Sequence, residues 1–472
     1  MNTVGIRLCS VIATLGLAAG ATAQDTPRQG TAPTLSLRDA VARALDYNAR
    51  LLDSRDGVEQ AALSLNLARS EFRPQITPNM FGSFGGNDLS NQRYSLDFSQ
   101  RFTTGTALRA TVGSVSSQNQ LGNFYTGDTT VQISQPLLRG FGRSLTRRGL
   151  TSAESQLQTA RRQRALAERQ VVIDVASAYY AIVAQEELAA VAEQTVARSR
   201  ELLAASEARL AVGRVSRLDV FRAQQLVAQS GARLLDARTA VEDARDRLRD
   251  LLGYDWDYLF SVAPGIPIPE ASAITTDEAI AQARVNRLEL QTALAAVDNA
   301  ARAVAAARNQ LLPQVDINAT FTRRETADTL RESFGVDKFQ FASFLSVSMP
   351  VDRTPQQTAL RTAAMTLSRQ RRELARLERS LVREARQAVR QQNRLRQALV
   401  IADTQISFAA QEVELAAFRY QRGLSNNLDV VNAEANLLAG RAGRVGLLAQ
   451  LAVARLQLRA TLGILDPRRD VL

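Results

Sequence analysis

The chain is 472 residues long, room for two or three globular domains, yet 45% of it is hydrophobic and only 5% aromatic, the profile of long helices rather than of aromatic-rich compact cores. The formal net charge of +11 would suit a nucleic acid or an anionic surface, but the basic residues are spread among Glu and Asp along helical stretches, so nucleic acid is set aside as a partner. The sequence contains no histidine and one cysteine, which removes His-based general bases, hydrolase triads and most transition-metal sites.

Met1 to Ala23 reads as a secretory signal peptide: Arg7 near the start, an apolar stretch from Leu8 to Leu17, and Ala21-Thr22-Ala23 as a small-residue cleavage site. Cys9 lies inside this segment, so the expected mature chain has no disulfide, no thiol chemistry and no lipid anchor on cysteine. No metal or other cofactor is expected.

An alanine-rich helix opens near Asp39-Ala40-Val41 and ends at Ala68-Arg-Ser-Glu-Phe-Arg-Pro74-Gln-Ile76. Tyr94 to Phe102 then largely alternates apolar and polar residues with period two, and Ile76 to Phe84 does so less cleanly; both read as half-buried strands. No proline occurs between Pro136 and Pro264, and from Ser144 to Val212 the helical pattern would span roughly 100 Å at about 1.5 Å per residue. Gly213 supplies a left-handed helix end, and Ser216 with Asp219 three residues later reads as the N-cap of a returning helix that runs to Gly253. Tyr254 to Ala273, rich in proline and aromatics, follows as a linker.

The whole arrangement then recurs. A helix opens at Glu278-Ala279-Ile280 and ends at Ala307-Arg-Asn-Gln-Leu-Leu-Pro313-Gln-Val315, 239 positions after its first copy. Strand patterns occupy Val315 to Phe321 and Phe339 to Met349, and Leu345-Ser-Val347-Ser-Met-Pro350 matches Val131-Gln-Ile133-Ser-Gln-Pro136 at an offset of 214. Leu395, Leu399, Ala402, Ile406, Ala409, Val413, Ala416 and Tyr420 alternate spacings of four and three, a coiled-coil seam; Val172, Val175, Tyr179 and Ile182 echo it in the first half. Gly423-Leu-Ser-Asn426-Asn-Leu428-Asp429-Val430 repeats Gly213-Arg-Val-Ser216-Arg-Leu218-Asp219-Val220 at an offset of 210. The drop from 239 to 214 leaves 25 extra residues in the first copy, which length variation within a repeat assigns to a surface loop. The organisation is thus residues 1–23 signal, 24–253 first repeat, 254–273 linker, 274–463 second repeat and 464–472 tail.

Two strands per repeat give four per chain. Four strands cannot close a barrel and open edges do not survive in lipid, so chains must pool their strands if these meet a membrane. With these residues in place, the chain resembles the outer-membrane factors of TolC-type efflux systems. The resemblance rests on the paired Ala-Arg-x-x-x-x-Pro-Gln junctions at Pro74 and Pro313 and the paired Gly-x-x-Ser/Asn-x-Leu-Asp-Val tips at Gly213 and Gly423.

That resemblance implies a mainly helical homotrimer whose duplicated helical hairpins form a periplasmic tunnel. Its strands would form a shared 12-stranded barrel in outer-membrane lipid, with residues 254–273 and the tail belting the tunnel. It implies partners at the tips, a periplasmic adaptor protein and through it an inner-membrane pump, in drug or metal efflux or in type I secretion. Adaptor-facing positions are then Gly213, Ser216, Leu218, Asp219, Gly423, Asn426, Leu428 and Asp429, and the aperture gate is Tyr420, Asp429 and Asn432. Two other classes compete. A soluble periplasmic coiled-coil adaptor or scaffold would show one hairpin between glycine- and valine-rich β domains; here there are two hairpins. An envelope enzyme would need a catalytic cluster, and carboxylate pairs such as Glu186 and Glu187 read as solvated helix faces.

Overall fold

The computed structural model describes residues 33–84, 90–119, 122–267, 274–334, 339–425 and 427–470; the signal segment and Asn426 lie outside them. A short strand β1 (Thr34–Leu35) leads into α1 (Leu37–Tyr47) and α2 (Ala49–Ser70). Four strands follow, β2 (Gln75–Phe84), β3 (Ser90–Arg101), β4 (Ala107–Asn119) and β5 (Gly122–Pro136), then a helical turn α3 (Arg143–Thr146) and the long pair α4 (Arg148–Ala211) and α5 (Arg217–Leu252). After β6 (Ser261–Val262), the second repeat runs through α6 (Thr276–Asn286), α7 (Leu288–Asn309), β7 (Gln314–Ala327), α8 (Leu330–Ser333), β8 (Gln340–Ser348), α9 (Thr354–Gln421) and α10 (Asn427–Thr461).

Side-chain caps set the starts of the short helices. The Asp39 N–H donates to Ser36 Oγ (3.1 Å) at α1, the Arg50 N–H to Asn48 Oδ1 (3.1 Å) at α2, and Thr275 and Glu278 form a reciprocal capping box at α6. The long helices, 64 residues in α4 and 68 in α9, are held by packing instead. α4 lies along α5, α9 along α10, and α4 joins the two hairpins through α10; towards the strands, α2 packs on α4 and α7 on α9. Leu395, Leu399, Ala402, Ala409, Ala416 and Tyr420 are buried in the expected seam, as are Val172, Val175, Tyr179 and Ile182.

The thickest core is at mid-length. There Val172, Val175 and Ile182 meet Leu248 and Leu252 of α5, Leu395 and Leu399 of α9, Leu448 and Leu451 of α10, and Ala40 and Ala44 of α1. Phe260, Val262 and Ile266 close the same core. Tyr179 stitches the layers: its hydroxyl donates to the Leu35 carbonyl and accepts from the Ala263 N–H, both at 3.1 Å, and burial raises its pKa above the ordinary tyrosine value. Of the described helices only α10, from Leu428 on, is long and apolar enough by composition to cross a membrane; it packs along α9 and α4, with Arg444 paired to Asp403.

The strands form one antiparallel sheet in the order β2-β3-β4-β5-β7-β8, with β5 and β7 joining the repeats. Paired residues share a face. Ile76, Met80, Leu96, Val112, Ile133, Phe321 and Val347 therefore fall on one side, and Asp97, Arg109, Asp128, Asp316 and Arg324 on the other. The first face is mainly apolar and the second mainly polar, with Arg323 and Glu325 the charged exceptions on the first and Phe81 and Phe344 among the aromatic ones on the second; a wall between lipid and an aqueous lumen has this asymmetry.

The fold class matches expectation: mainly helical, with duplicated long hairpins and a strand-built end. The strand count does not. Six strands, not four, share the sheet, and the 25 extra residues of the first repeat are no surface loop. They are the equivalent of one added up-and-down strand pair, which preserves the antiparallel alternation because pairs come in twos. β4 and β5 carry so many Ser, Thr and Gly residues that their apolar positions, Leu108, Ala110, Val112, Val131 and Ile133, stand out weakly.

Candidate docking and gating site at the hairpin tips

Both tips are built by the same backbone device. Gly213 has φ +70° and Gly423 φ +73°, a conformation that costs an L side chain about 1 kcal/mol or more. In the first tip the Gly213 N–H donates to Leu210 O and the Arg214 N–H to Arg209 O, both 2.9 Å; in the second, Gly423 N–H donates to Tyr420 O (3.1 Å) and Leu424 N–H to Arg419 O (2.9 Å). These bonds satisfy the orphaned last carbonyls of α4 and α9. No heavy atom lies within 4 Å of a Cβ built on either glycine, so the backbone angle alone demands the residue.

Ser216 and Asp219 form a reciprocal box at the start of α5. The Asp219 N–H donates to Ser216 Oγ (3.3 Å), while the Ser216 N–H and hydroxyl donate to Asp219 Oδ2 at 3.1 and 2.8 Å. Arg222 stands 3.8 Å from the other carboxylate oxygen. At the second tip Asp429 is an exposed acid in the first turn of α10, favourable at a helix N-terminus, and Asn432 is exposed one turn on. Leu218 and Leu428 are exposed as well, giving each tip an apolar point beside its polar cap. Gly213, Ser216, Asp219, Tyr420 and Gly423 line a cleft of about 960 Å³ between the two tips, with Arg209, Arg214 and Arg422 in its wall.

Tyr420 is set apart from the exposed acid and amide. Its ring is 5% exposed, packed with Ala416, Val430 and Ala433. Its hydroxyl lies 2.9 Å from Ser206 Oγ of α4, Arg209 Nη1 donates to its carbonyl (2.8 Å), and the Arg209 guanidinium sits 4.3 Å from the ring centroid. One side chain thus ties the second hairpin to the first. A second tie lies about two turns away, where Arg198 of α4 reaches both carboxylate oxygens of Glu434 on α10 at 3.1 and 3.0 Å. Ser206 and Arg209 carry no sequence signal of their own: they become partners of Tyr420 only because the fold sets the two hairpins side by side.

The sequence matches the outer membrane efflux protein family over residues 40–254 and 279–464, most of both repeats. The chain belongs to that family. It is therefore an outer-membrane efflux channel that extends into the periplasm. The outer membrane efflux protein BepC of Brucella suis biovar 1 (strain 1330) is 27% identical over 410 residues, covering 86% of this chain and 80% of BepC. Among solved structures, VceC from Vibrio cholerae superposes with a TM-score of 0.71 at 18% identity over 90% of this chain and 96% of that one. The Neisseria gonorrhoeae MtrE channel in its open state does so with a TM-score of 0.67 at 18% identity, over 91% and 89%.

Proposed function

We propose that three copies of this chain form the passive exit duct of a tripartite efflux or type I secretion assembly, reached through a periplasmic adaptor and fed by an inner-membrane pump. The observation that carries this is polarity along one chain: a sheet with one mainly apolar face at one end, and two glycine-ended tips of matching sequence at the other. The amphipathic sheet has open edges that lipid does not tolerate, so copies must pair. The tips offer a cleft of about 960 Å³ framed by Gly213, Ser216, Asp219 and Gly423, with Leu218, Leu428 and Asp429 exposed on the same tips for apolar and polar contact with a partner. Tyr420 with Ser206 and Arg209 is the latch of the aperture; Asp429 and Asn432, exposed beside it, face neighbouring hairpins in the assembled ring. The chain acts by conduction rather than catalysis, in keeping with its family, and among the described residues no cluster of three His, Cys, Asp or Glu groups could hold a metal.

The test has two arms. The mature protein is expected in outer-membrane fractions and as a trimer in mild detergent; recovery as a soluble periplasmic monomer would favour the scaffold alternative. Gly213→Val and Gly423→Val are expected to distort the tips, at about 1 kcal/mol or more of backbone strain, and to abolish site-directed crosslinking to the adaptor while leaving membrane insertion intact. Normal export and crosslinking by both variants would remove the tips from the docking surface.

A further inference from the structure

The six-stranded sheet has two edge strands, β2 and β8, each paired on one side only among the described residues. Both carry large apolar residues into the open: Met80 is 75% and Val347 65% exposed. β2 runs away from the helices and β8 towards them, so β8 of one copy can pair antiparallel with β2 of the next. The chain contains a template for that joint, because β5 and β7 make the same kind of junction between its two repeats.

The template fixes a register. Within the chain, Ser134 of β5 is opposite Asn318 of β7, and Ile133 is opposite Ala319. Moving β5 forward by the repeat offset of 214 turns Ser134 into Ser348 and Ile133 into Val347; moving β7 back by 239 turns Asn318 into Asn79 and Ala319 into Met80. The serine and the asparagine are retained in both copies. The transferred pairs also land on the correct faces. Met80 and Val347 lie on the apolar side, Asn79 and Ser348 on the polar side, so a joint in this register carries the lipid face and the lumen face unbroken across the chain boundary.

From this, together with the six-stranded sheet, we propose that the assembled exit is an eighteen-stranded barrel, closed by β8–β2 joints between copies in the register of the internal β5–β7 joint. The proposal rests on the trimeric channel reading above. Geometry supports the count. At the sheet end each chain presents four neighbouring helices, α2, α4, α7 and α9, which at about 9 to 10 Å each cover about 36–40 Å of a ring. Strands about 4.8 Å apart and tilted by about 40° take about 6 Å of circumference each, so six cover about 38 Å and four only about 25 Å. Six strands sit on four helices without a step; four would force the barrel to taper. The repeats share the load unequally, four strands rising between α2 and α4 and two between α7 and α9.

The test uses full-length chain inserted in a bacterial outer membrane. The single native cysteine, Cys9, lies in the signal segment, so introduced cysteines stand alone in the mature protein. Asn79→Cys with Ser348→Cys, and separately Met80→Cys with Val347→Cys, are expected to give chain-to-chain disulfides on adding an oxidant, seen as dimer and trimer bands on a denaturing gel. Neighbouring antiparallel pairs alternate between hydrogen-bonded and non-hydrogen-bonded sites, so one of the two pairs has the closer geometry. The slipped combination Asn79→Cys with Val347→Cys, whose side chains point to opposite faces, is expected to crosslink at least ten-fold less. Electron cryomicroscopy of the wild-type trimer is expected to count eighteen strands at mid-barrel. A twelve-stranded ring, preferential crosslinking of the slipped pair, or a membrane trimer in which neither matched pair crosslinks overturns the proposal while leaving the channel reading in place. A soluble monomer overturns both.

Discussion

Tyr420 holds the two hairpins together through three contacts of different physical kind, one made by Ser206 and two by Arg209. The hydroxyl bond to Ser206 is an ordinary neutral hydrogen bond, about 1 kcal/mol net, while the guanidinium of Arg209 adds a cation–π contact and a bond to the Tyr420 carbonyl. A latch that a docking partner must release is better made of such contacts than of a wide apolar interface, because each is strong enough to bias a closed state and weak enough to exchange. Tyr420→Phe combined with Arg209→Gln is expected to raise single-channel conductance in a planar bilayer, with circular dichroism and trimer yield unchanged. Because Ser206 and Tyr420 share one bond, Ser206→Ala in the Tyr420→Phe background is expected to add little, a non-additivity of about 1 kcal/mol by double-mutant cycle. Strict additivity would separate the two residues. Asp429→Ala, at an exposed cap, is expected to change conductance less than the latch substitutions.

At the scale of the element, the long helices obey their seams, and departures from the seam have measurable cost. Ile182 is fully buried in the mid-length core, so Ile182→Ala is expected to lower stability by about 2–5 kcal/mol, read as a fall in Tm of the purified channel. Gln392 sits between Val389 and Leu395 in the α9 seam at 2% exposure, and its side-chain nitrogen has no hydrogen-bond partner. Gln392→Leu is expected to raise Tm, since replacing an unsatisfied buried amide with an apolar group of similar size removes a penalty of about 1–3 kcal/mol. The seams were legible because burial repeats every three and four residues over some seventy positions. Gly213, Gly423, Ser216 and Asp219 were legible because a chain reversal needs those residue types locally. The partners of Tyr420 were not, since Ser206 lies 214 positions away and its contact is a product of hairpin packing. β4 and β5 escaped for a different reason: a strand whose lumen face is water-filled and whose lipid face uses Ala, Val and Gly shows only a faint period of two. The 25-residue surplus was visible, but length alone does not distinguish a loop from an added strand pair.

At the scale of the whole molecule the proposed trimer places two apertures in series, the tips at one end and the barrel exit in the membrane at the other. Resistances in series add, so conductance reports whichever aperture is narrower. On the proposed reading the latched tips are the narrower aperture, and the width of the exit is then invisible to the measurement. The second repeat shows that a strand pair alone can link the paired helices, since β7 and β8 join α7 to α9 without the additional pair. Removing one up-and-down pair from the first repeat, so that β2 meets β5 directly, is therefore expected to leave a trimer that still inserts, with a narrower exit. In the wild-type background this deletion is expected to leave conductance nearly unchanged. In the Tyr420→Phe/Arg209→Gln background, where the tip no longer limits flow, the same deletion is expected to lower it clearly. An equal effect of the deletion in both backgrounds would mean that the barrel already limits the closed channel, and that the latch at Tyr420 does not set the narrowest point.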